Sequence, residues 1–419
     1  MIRLILIILF AAISLLAVCK APTYHLWMLA IAVTEFPYLF CGILLILLLS
    51  GIWMHKYQLT GTLIGLAALF LFLSPVVRAY RVARDLPSQL EAAFVPGTAG
   101  DAPLMPDRDA TIPAAPFRWT RMLSGMKAPT VSYDTYTYKQ YGDTALTLDF
   151  YPSQVILPLL SQLKFPCIVV IHGGSWGGGA SQQLPELNSF LSLEGYNVAT
   201  INYRLAPRYQ SPAPVEDLAA ALAFLRQRSE ALRIDTTRFV LLGRSAGAQI
   251  ALLAAYTLPR QIPGSGIKGV ISFYGPADMV WGYSLPANPL VMDSRKVMEE
   301  YLGGTYRQVP QNYFASSPIA AVTRESVPTL LIHGQNDVIV AYEHSTRLAK
   351  KLQENNVPHF LLTLPWATHG CDFTLNGPSG QLSTYTVETF LKLLLGTHLA
   401  EATEKDHRQQ AQDKPAKPI

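Results

Sequence analysis

Charge is scarce in this chain. Only 15% of its 419 residues are Asp, Glu, Lys or Arg, against about a quarter in ordinary soluble domains. The formal net charge is +4, and no basic tract with interleaved aromatics occurs, which argues against nucleic acid as a partner. Cysteine is rarer still. Cys19, Cys41, Cys167 and Cys371 have neither the spacing of a metal site nor the density of a disulfide framework. No H-x-x-x-H motif or Cys/His cluster is present, so no catalytic metal is expected.

Apolar residues are in excess. They make up half of the composition and crowd into the first 80 residues. Residues 2–18 are apolar apart from Arg3 and Ser14. A second run covers about 26–50 and is interrupted at Glu35 and Pro37, and a third covers about 60–77. Each approaches the length needed to cross roughly 30 Å of hydrocarbon. These runs predict a transmembrane region over 1–84, with about three helices at 2–18, 26–50 and 60–77, and a lipid bilayer as partner. For 2–18 a signal peptide is the competing reading, although Val18 ahead of Cys19 makes a poor cleavage site. Glu35 is expected at the membrane interface, with the helix beginning near Phe36. Arg78, Arg81, Arg84 and Lys20 favour the cytoplasmic side, with Lys56 outside and Arg3 opposed. A multi-pass protein with its main domain in the cytoplasm is the resulting expectation. Pro87, Pro96, Pro103, Pro106, Pro113 and Pro116 mark 85–128 as a linker, a partly ordered strap on the body or a partial lid, with a short amphipathic helix at 86–94.

From 129 to 400 the pattern changes to strands alternating with helices. Strands are expected at 131–137, 145–151, 165–171, 197–203, 269–274, 329–333 and 360–365, and helices at 183–193, 214–228, 343–355 and 384–395. This α/β alternation implies a mostly parallel sheet covered by helices on both faces. The polar tail 401–419 is expected to be flexible.

One stretch in this domain organises the rest. Phe239-Val240-Leu241-Leu242-Gly243-Arg244-Ser245-Ala246-Gly247 reads as a buried strand, a sharp turn and the start of a helix. That is G-x-S-x-G in its required context, a nucleophile elbow that exposes the Ser245 hydroxyl. A serine hydroxyl needs a base, and the base needs a carboxylate to hold its tautomer. Both belong in loops after later strands, in the order Ser, acid, His. Asp337 follows the strand at 329–333, and His369 follows the strand at 360–365. Asp372 and Asp278 are weaker candidates for the acid; Asp278 reads better as a helix cap. Gly173 and Gly174 follow the strand ending at Ile171, and Ala246 follows the nucleophile. Their amides are the expected donors to an oxyanion. His172 is expected to hold the glycine loop, and Trp176 to be a pocket wall or loop packing. Glu216 and Asp217 suit the N-terminal turn of a helix. Arg244 is expected in a salt bridge, and His333, which ends its strand and is within possible reach of the site, in a structural role.

His172-Gly173-Gly174-Ser175-Trp176, Tyr203-Arg204-Leu205-Ala206-Pro207, Pro214-Val215-Glu216-Asp217 and Gly243-Arg244-Ser245-Ala246-Gly247 together resemble the hormone-sensitive-lipase-like and feruloyl-esterase-like carboxylesterases of the α/β-hydrolase fold. The resemblance covers roughly 130–397. It implies Ser245, Asp337 and His369 as the triad, the amides of Gly173, Gly174 and Ala246 as the oxyanion hole, and no cofactor. The substrate it implies is a small carboxylic ester. The membrane region departs from that pattern and is similar to tethered relatives resembling prenylcysteine methylesterases, which keeps a lipid-like ester open. The competing functions are a deacetylase or amidase with the same machinery, and a non-catalytic hydrolase-like membrane scaffold.

Overall fold

The structure, a computed structural model, describes residues 2–50, 58–95, 115–142, 144–155 and 163–396. The tail 401–419, Lys56 and residues 96–114 of the Pro-rich stretch lie outside the described residues.

Eight strands form one sheet: β1 (Asp134–Tyr141), β2 (Thr144–Tyr151), β3 (Phe165–Ile171), β4 (Asn197–Ile201), β5 (Ile234–Arg244), β6 (Ile267–Phe273), β7 (Thr329–Gly334) and β8 (His359–Leu364). Their order is β1-β2-β4-β3-β5-β6-β7-β8. β1 pairs antiparallel with β2, and β2 antiparallel with β4. Every later pairing is parallel.

β3 shows why the central strands are apolar without alternation. Val169 and Ile171 face one core, while Ile168 and Val170 face the other. The helices Ala213–Gln227, Ala246–Gln261 and Glu343–Glu354 contribute to the first core. Pro185–Leu193 and Pro378–Leu395 contribute to the second. With both faces covered, each strand residue points into packed side chains, so a continuous apolar run is required.

The N-terminal region departs from the expected set of three spans. The first run forms the helix Ile2–Ser14 and a 3₁₀ turn Leu15–Ala17, shorter than a span. The second run is broken into Tyr24–Glu35 and Pro37–Leu49, bent by 86°. Pro37 opens the second of these helices, where its missing amide hydrogen is no loss. The third run begins a 37-residue helix, Gln58–Phe94. Among the described residues, one helix is long and apolar enough to cross a membrane, or up to two if the bent pair counts as one span.

The helix expected at 86–94 is the last part of Gln58–Phe94, continuous with the third apolar run. Gly61, Gly65, Ala68 and Phe72 pack near the helices Ile2–Ser14 and Pro37–Leu49. Further along, Ala79, Ala83, Leu86, Leu90 and Phe94 join the second core of the sheet, against Pro378–Leu395. One helix therefore belongs to both regions. Beyond it, Phe117 and Met122 are buried, and Asn376 Nδ2 donates to the carbonyls of Gly125 and Lys127. This described part of 85–128 is a strap bound to the body.

Glu35 is not at an interface with solvent. It is buried, and its Oε2 accepts from the Ser379 amide at 3.0 Å. Arg78 likewise does more than flank an apolar run, because it donates to the carbonyls of Ala17 and Pro365.

Candidate active site

β5 ends at Arg244, and Ser245 makes the turn into Ala246–Gln261 at φ 51° and ψ −120°. An L-residue with positive φ is strained, and such strain persists only where the surroundings enforce it. Enforcement comes from close packing. A side-chain carbon on Gly243 would lie 2.3 Å from the Gly247 carbonyl oxygen, and one on Gly247 would lie 2.3 Å from those of Ile171 and His172. Only glycine allows the strand, the helix and the β3 loop to approach so closely.

Asp337 and His369 leave the carboxyl ends of β7 and β8, the end of an open sheet where ligands bind. His369 Nε2 lies 3.0 Å from Ser245 Oγ, and His369 Nδ1 lies 2.7 Å from Asp337 Oδ2. A carboxylate only accepts, so Nδ1 carries the proton and Nε2 is free to accept from the serine hydroxyl. The structure thus brings these three side chains together across 92 residues between the first two and 32 between the last two.

Asp337 is more elaborately held than its loop position foretold. Oδ1 accepts from the amides of Ile339 and Val340 at 2.8 and 2.9 Å. Oδ2 accepts from His369 and, at 3.2 Å, from His333 Nε2. Burial opposes the carboxylate's charge, but the electrostatic pull of the adjacent His369 and the bonds from both imidazoles prevail, so its pKa lies well below the ordinary range. His333 Nδ1 in turn lies 2.7 Å from Ser345 Oγ. The expectation of a merely structural His333 misses this contact. Its position at the end of a strand leading to the acid was the available signal.

The expected oxyanion donors separate. The Gly173 amide already donates to Gln183 Oε1 at 2.7 Å, so it is not free for a ligand. Among the described residues, the amides of Gly174 and Ala246 have no protein partner. The same is true of Ser175, which lines the cavity beside Ser245. Nothing in the H-G-G run singles out this amide, because a backbone N–H is present whatever the side chain.

His172 stands behind this loop. Its ring stacks on Tyr203 with centroids 4.3 Å apart, and its Nδ1 lies 2.7 Å from the Gly173 carbonyl. Burial lowers its pKa, against the effect of that bond. It is not among the residues lining the cavity, whereas Trp176 is. Trp176 also stacks on Tyr301 at 4.5 Å and donates to Gln249 Oε1 at 2.9 Å.

The remaining acids have other partners. Asp372 pairs with buried Arg244 at 2.5 Å and accepts from the Tyr274 hydroxyl. Asp278 caps Met279–Ser284 through the Trp281 amide and pairs with Arg347 at 2.7 Å. Asp217 and Glu216 both bind Arg204, so they fix the loop after β4 as well as starting a helix. Among the described residues, no group of three or more His, Cys, Asp or Glu is arranged to hold a metal.

A cavity of about 430 Å³ opens at Ser245, within the range of small-ligand sites. Its walls include Trp176, Met292, Met298 and Val338, with Lys20 and Pro22 from the N-terminal region.

This sheet order, elbow and loop arrangement define the α/β-hydrolase fold. A family model described as BD-FAE matches residues 153–352. Esterase LipC of Mycobacterium tuberculosis is 28% identical over 240 residues, covering 54% of this chain and 58% of LipC. The chain thus spans somewhat over half of LipC. The probable carboxylic ester hydrolase LipM of the same organism is 26% identical over 398 residues, covering 89% of this chain and 88% of LipM. A match of that extent includes much of the N-terminal region. Among solved structures, a hyperthermophilic esterase from Pyrobaculum calidifontis superposes with a TM-score of 0.54 at 20% identity, covering 63% of this chain and 86% of that one. The fold is therefore the α/β-hydrolase fold.

Proposed function

We propose that the protein is a membrane-anchored serine carboxylesterase with Ser245, His369 and Asp337 as its triad. The observation that carries this reading is the continuous chain of contacts from Ser245 Oγ to His369 at 3.0 Å and from His369 to Asp337 at 2.7 Å. In the proposed reaction Ser245 Oγ attacks the ester carbonyl while its proton passes to His369 Nε2. Asp337 holds the tautomer and stabilises the imidazolium. The amides of Gly174, Ser175 and Ala246 meet the negative oxygen of the tetrahedral intermediate. His369 then protonates the departing alcohol. Water, deprotonated by His369, attacks the acyl-enzyme and releases the carboxylic acid with Ser245 restored.

The substrate class proposed is a small or lipid-like ester. Met292, Met298 and Val338 give the cavity apolar walls suited to an acyl or alkyl chain. Membrane anchoring is supported by Gln58–Phe94, where Leu59, Leu63, Leu66 and Phe70 stand exposed along its apolar half. Arg81 and Arg84 follow that half, the arrangement of a cytoplasmic boundary.

The test uses full-length protein in detergent, a fluorophosphonate probe and p-nitrophenyl esters from acetyl upward, with aryl amides alongside. Wild type should be labelled and turn over esters, and Ser245→Ala should lose both with its fold intact. Unchanged turnover in that variant rejects the mechanism. Amide turnover exceeding ester turnover reassigns the enzyme as an amidase.

A further inference from the structure

The segment between β8 and the helix Pro378–Leu395 carries His369, and the N-terminal helices grip it along its length. At its start, Arg78 Nη1 donates to the Pro365 carbonyl at 3.3 Å. In its middle, Trp27 Nε1 donates to the His369 carbonyl at 3.0 Å, and the two rings lie 6.4 Å apart between centroids. Beside this bond Ile31 is so close to Gly370 that a side-chain carbon added to the glycine would meet it at 3.4 Å. At its end, Glu35 Oε2 accepts from the Ser379 amide at 3.0 Å. That amide belongs to the first turn of an 18-residue helix, where amides lack helical partners. Trp27, Ile31 and Glu35 all come from one helix, Tyr24–Glu35, with Ile31 and Glu35 spaced one turn apart.

None of these three residues lines the cavity at Ser245. Their contacts are with the segment that aims the imidazole. We propose that the helix Tyr24–Glu35 is a positioning frame for His369, with Trp27 a positioning residue that acts through the His369 carbonyl. The proposal rests on the esterase reading and extends it: the N-terminal region is part of the catalytic apparatus as well as an anchor. The physical basis is the steep dependence of proton transfer on geometry. A displacement of roughly 1 Å can reduce the rate by about 10²-fold. A buried carbonyl that loses its donor is free to seek another partner, and its residue moves with it.

The experiment compares full-length wild type, Trp27→Phe and Met28→Ala in the same detergent. Trp27→Phe keeps a six-membered aromatic ring and removes the donor together with the five-membered ring that carries it. Met28 is exposed on the same helix and serves as the control. The readouts are kcat and KM on p-nitrophenyl acetate, the rate of fluorophosphonate labelling at Ser245, and the thermal midpoint. Trp27→Phe should lower kcat and the labelling rate by roughly tenfold, the rate equivalent of one hydrogen bond. KM and the thermal midpoint should stay close to wild type, and Met28→Ala should match wild type throughout. Ile31→Ala, which loosens the segment at Gly370 by another route, should lower kcat in the same sense. Unchanged kcat and labelling in Trp27→Phe overturn the proposal. So does a loss shared with Met28→Ala, or one matched by a fall in folded protein. Absence of labelling in wild type overturns the esterase reading itself.

Discussion

His333 and His369 share one oxygen of Asp337. Both imidazoles reach Oδ2, at 3.2 and 2.7 Å, while Oδ1 is occupied by backbone amides. The carboxylate is therefore held from two sides, one of them a histidine whose Nε2 is shared with the Val340 carbonyl at 3.0 Å.

Removing that second histidine should slow catalysis without weakening binding. His333→Ala deletes a hydrogen bond to a charged, buried carboxylate, an interaction of about 1.5–3 kcal/mol. The expected result is a kcat reduced by at least about tenfold with KM little changed. Steady-state kinetics on a short p-nitrophenyl ester checks this, and an unaltered kcat shows that the two backbone amides suffice.

Stability should fall in mild acid because of His344. Its Nδ1 accepts from the Asp278 amide at 3.2 Å, and its ring meets the edge of Trp281. Burial, then the neighbouring His333, pushes its pKa from 6.5 down to about 3. The folded pKa is the lower one, so between these values the unfolded chain binds more protons and stability rises with pH. The contribution is complete above about pH 6.5 and is lost progressively as pH falls toward about 3. Thermal midpoints of wild type and His344→Gln across pH 4–7 should converge at the acidic end. Parallel curves would exclude His344 as the cause.

Gly247→Ala should damage both stability and activity. The added methyl would stand 2.3 Å from two carbonyl oxygens of the β3 strand and its loop. Backbone must move to relieve this, at a cost of about 3 kcal/mol or more. Chemical denaturation should show a lower midpoint, and ester turnover should fall because the same shift displaces Ser245. A variant as stable as wild type would show that this crossing is looser than described.

Membranes containing the full-length protein should retain it after an alkaline carbonate wash and release it into detergent. The exposed Leu59, Leu63, Leu66 and Phe70 would otherwise face water. Release by carbonate alone would replace the anchor with peripheral attachment.

What could be read from sequence was local or periodic. The strand, turn and helix around Ser245 are encoded by neighbouring residues, since Gly243 and Gly247 serve a turn made by the same stretch. The parallel sheet was legible because strands covered on both faces must be apolar throughout. Asp337 and His369 could be found because the fold places both at carboxyl ends of strands. Other features depend on residues far apart in sequence. Gln183 takes the Gly173 amide from outside the glycine run, which no motif displays. Trp27 reaches His369 across 342 positions, and Glu35 reaches Ser379 across 344. Apolar content marked 26–50 as one long run because hydropathy records composition and not direction. The 86° bend falls at Phe36 and Pro37, where the residue ahead of the proline leaves the helical conformation. Sequence alone thus determined the candidate groups and the sheet that carries them. Only the tertiary structure decided which amides stay free and what holds the imidazole, because those depend on partners that chain folding brings together.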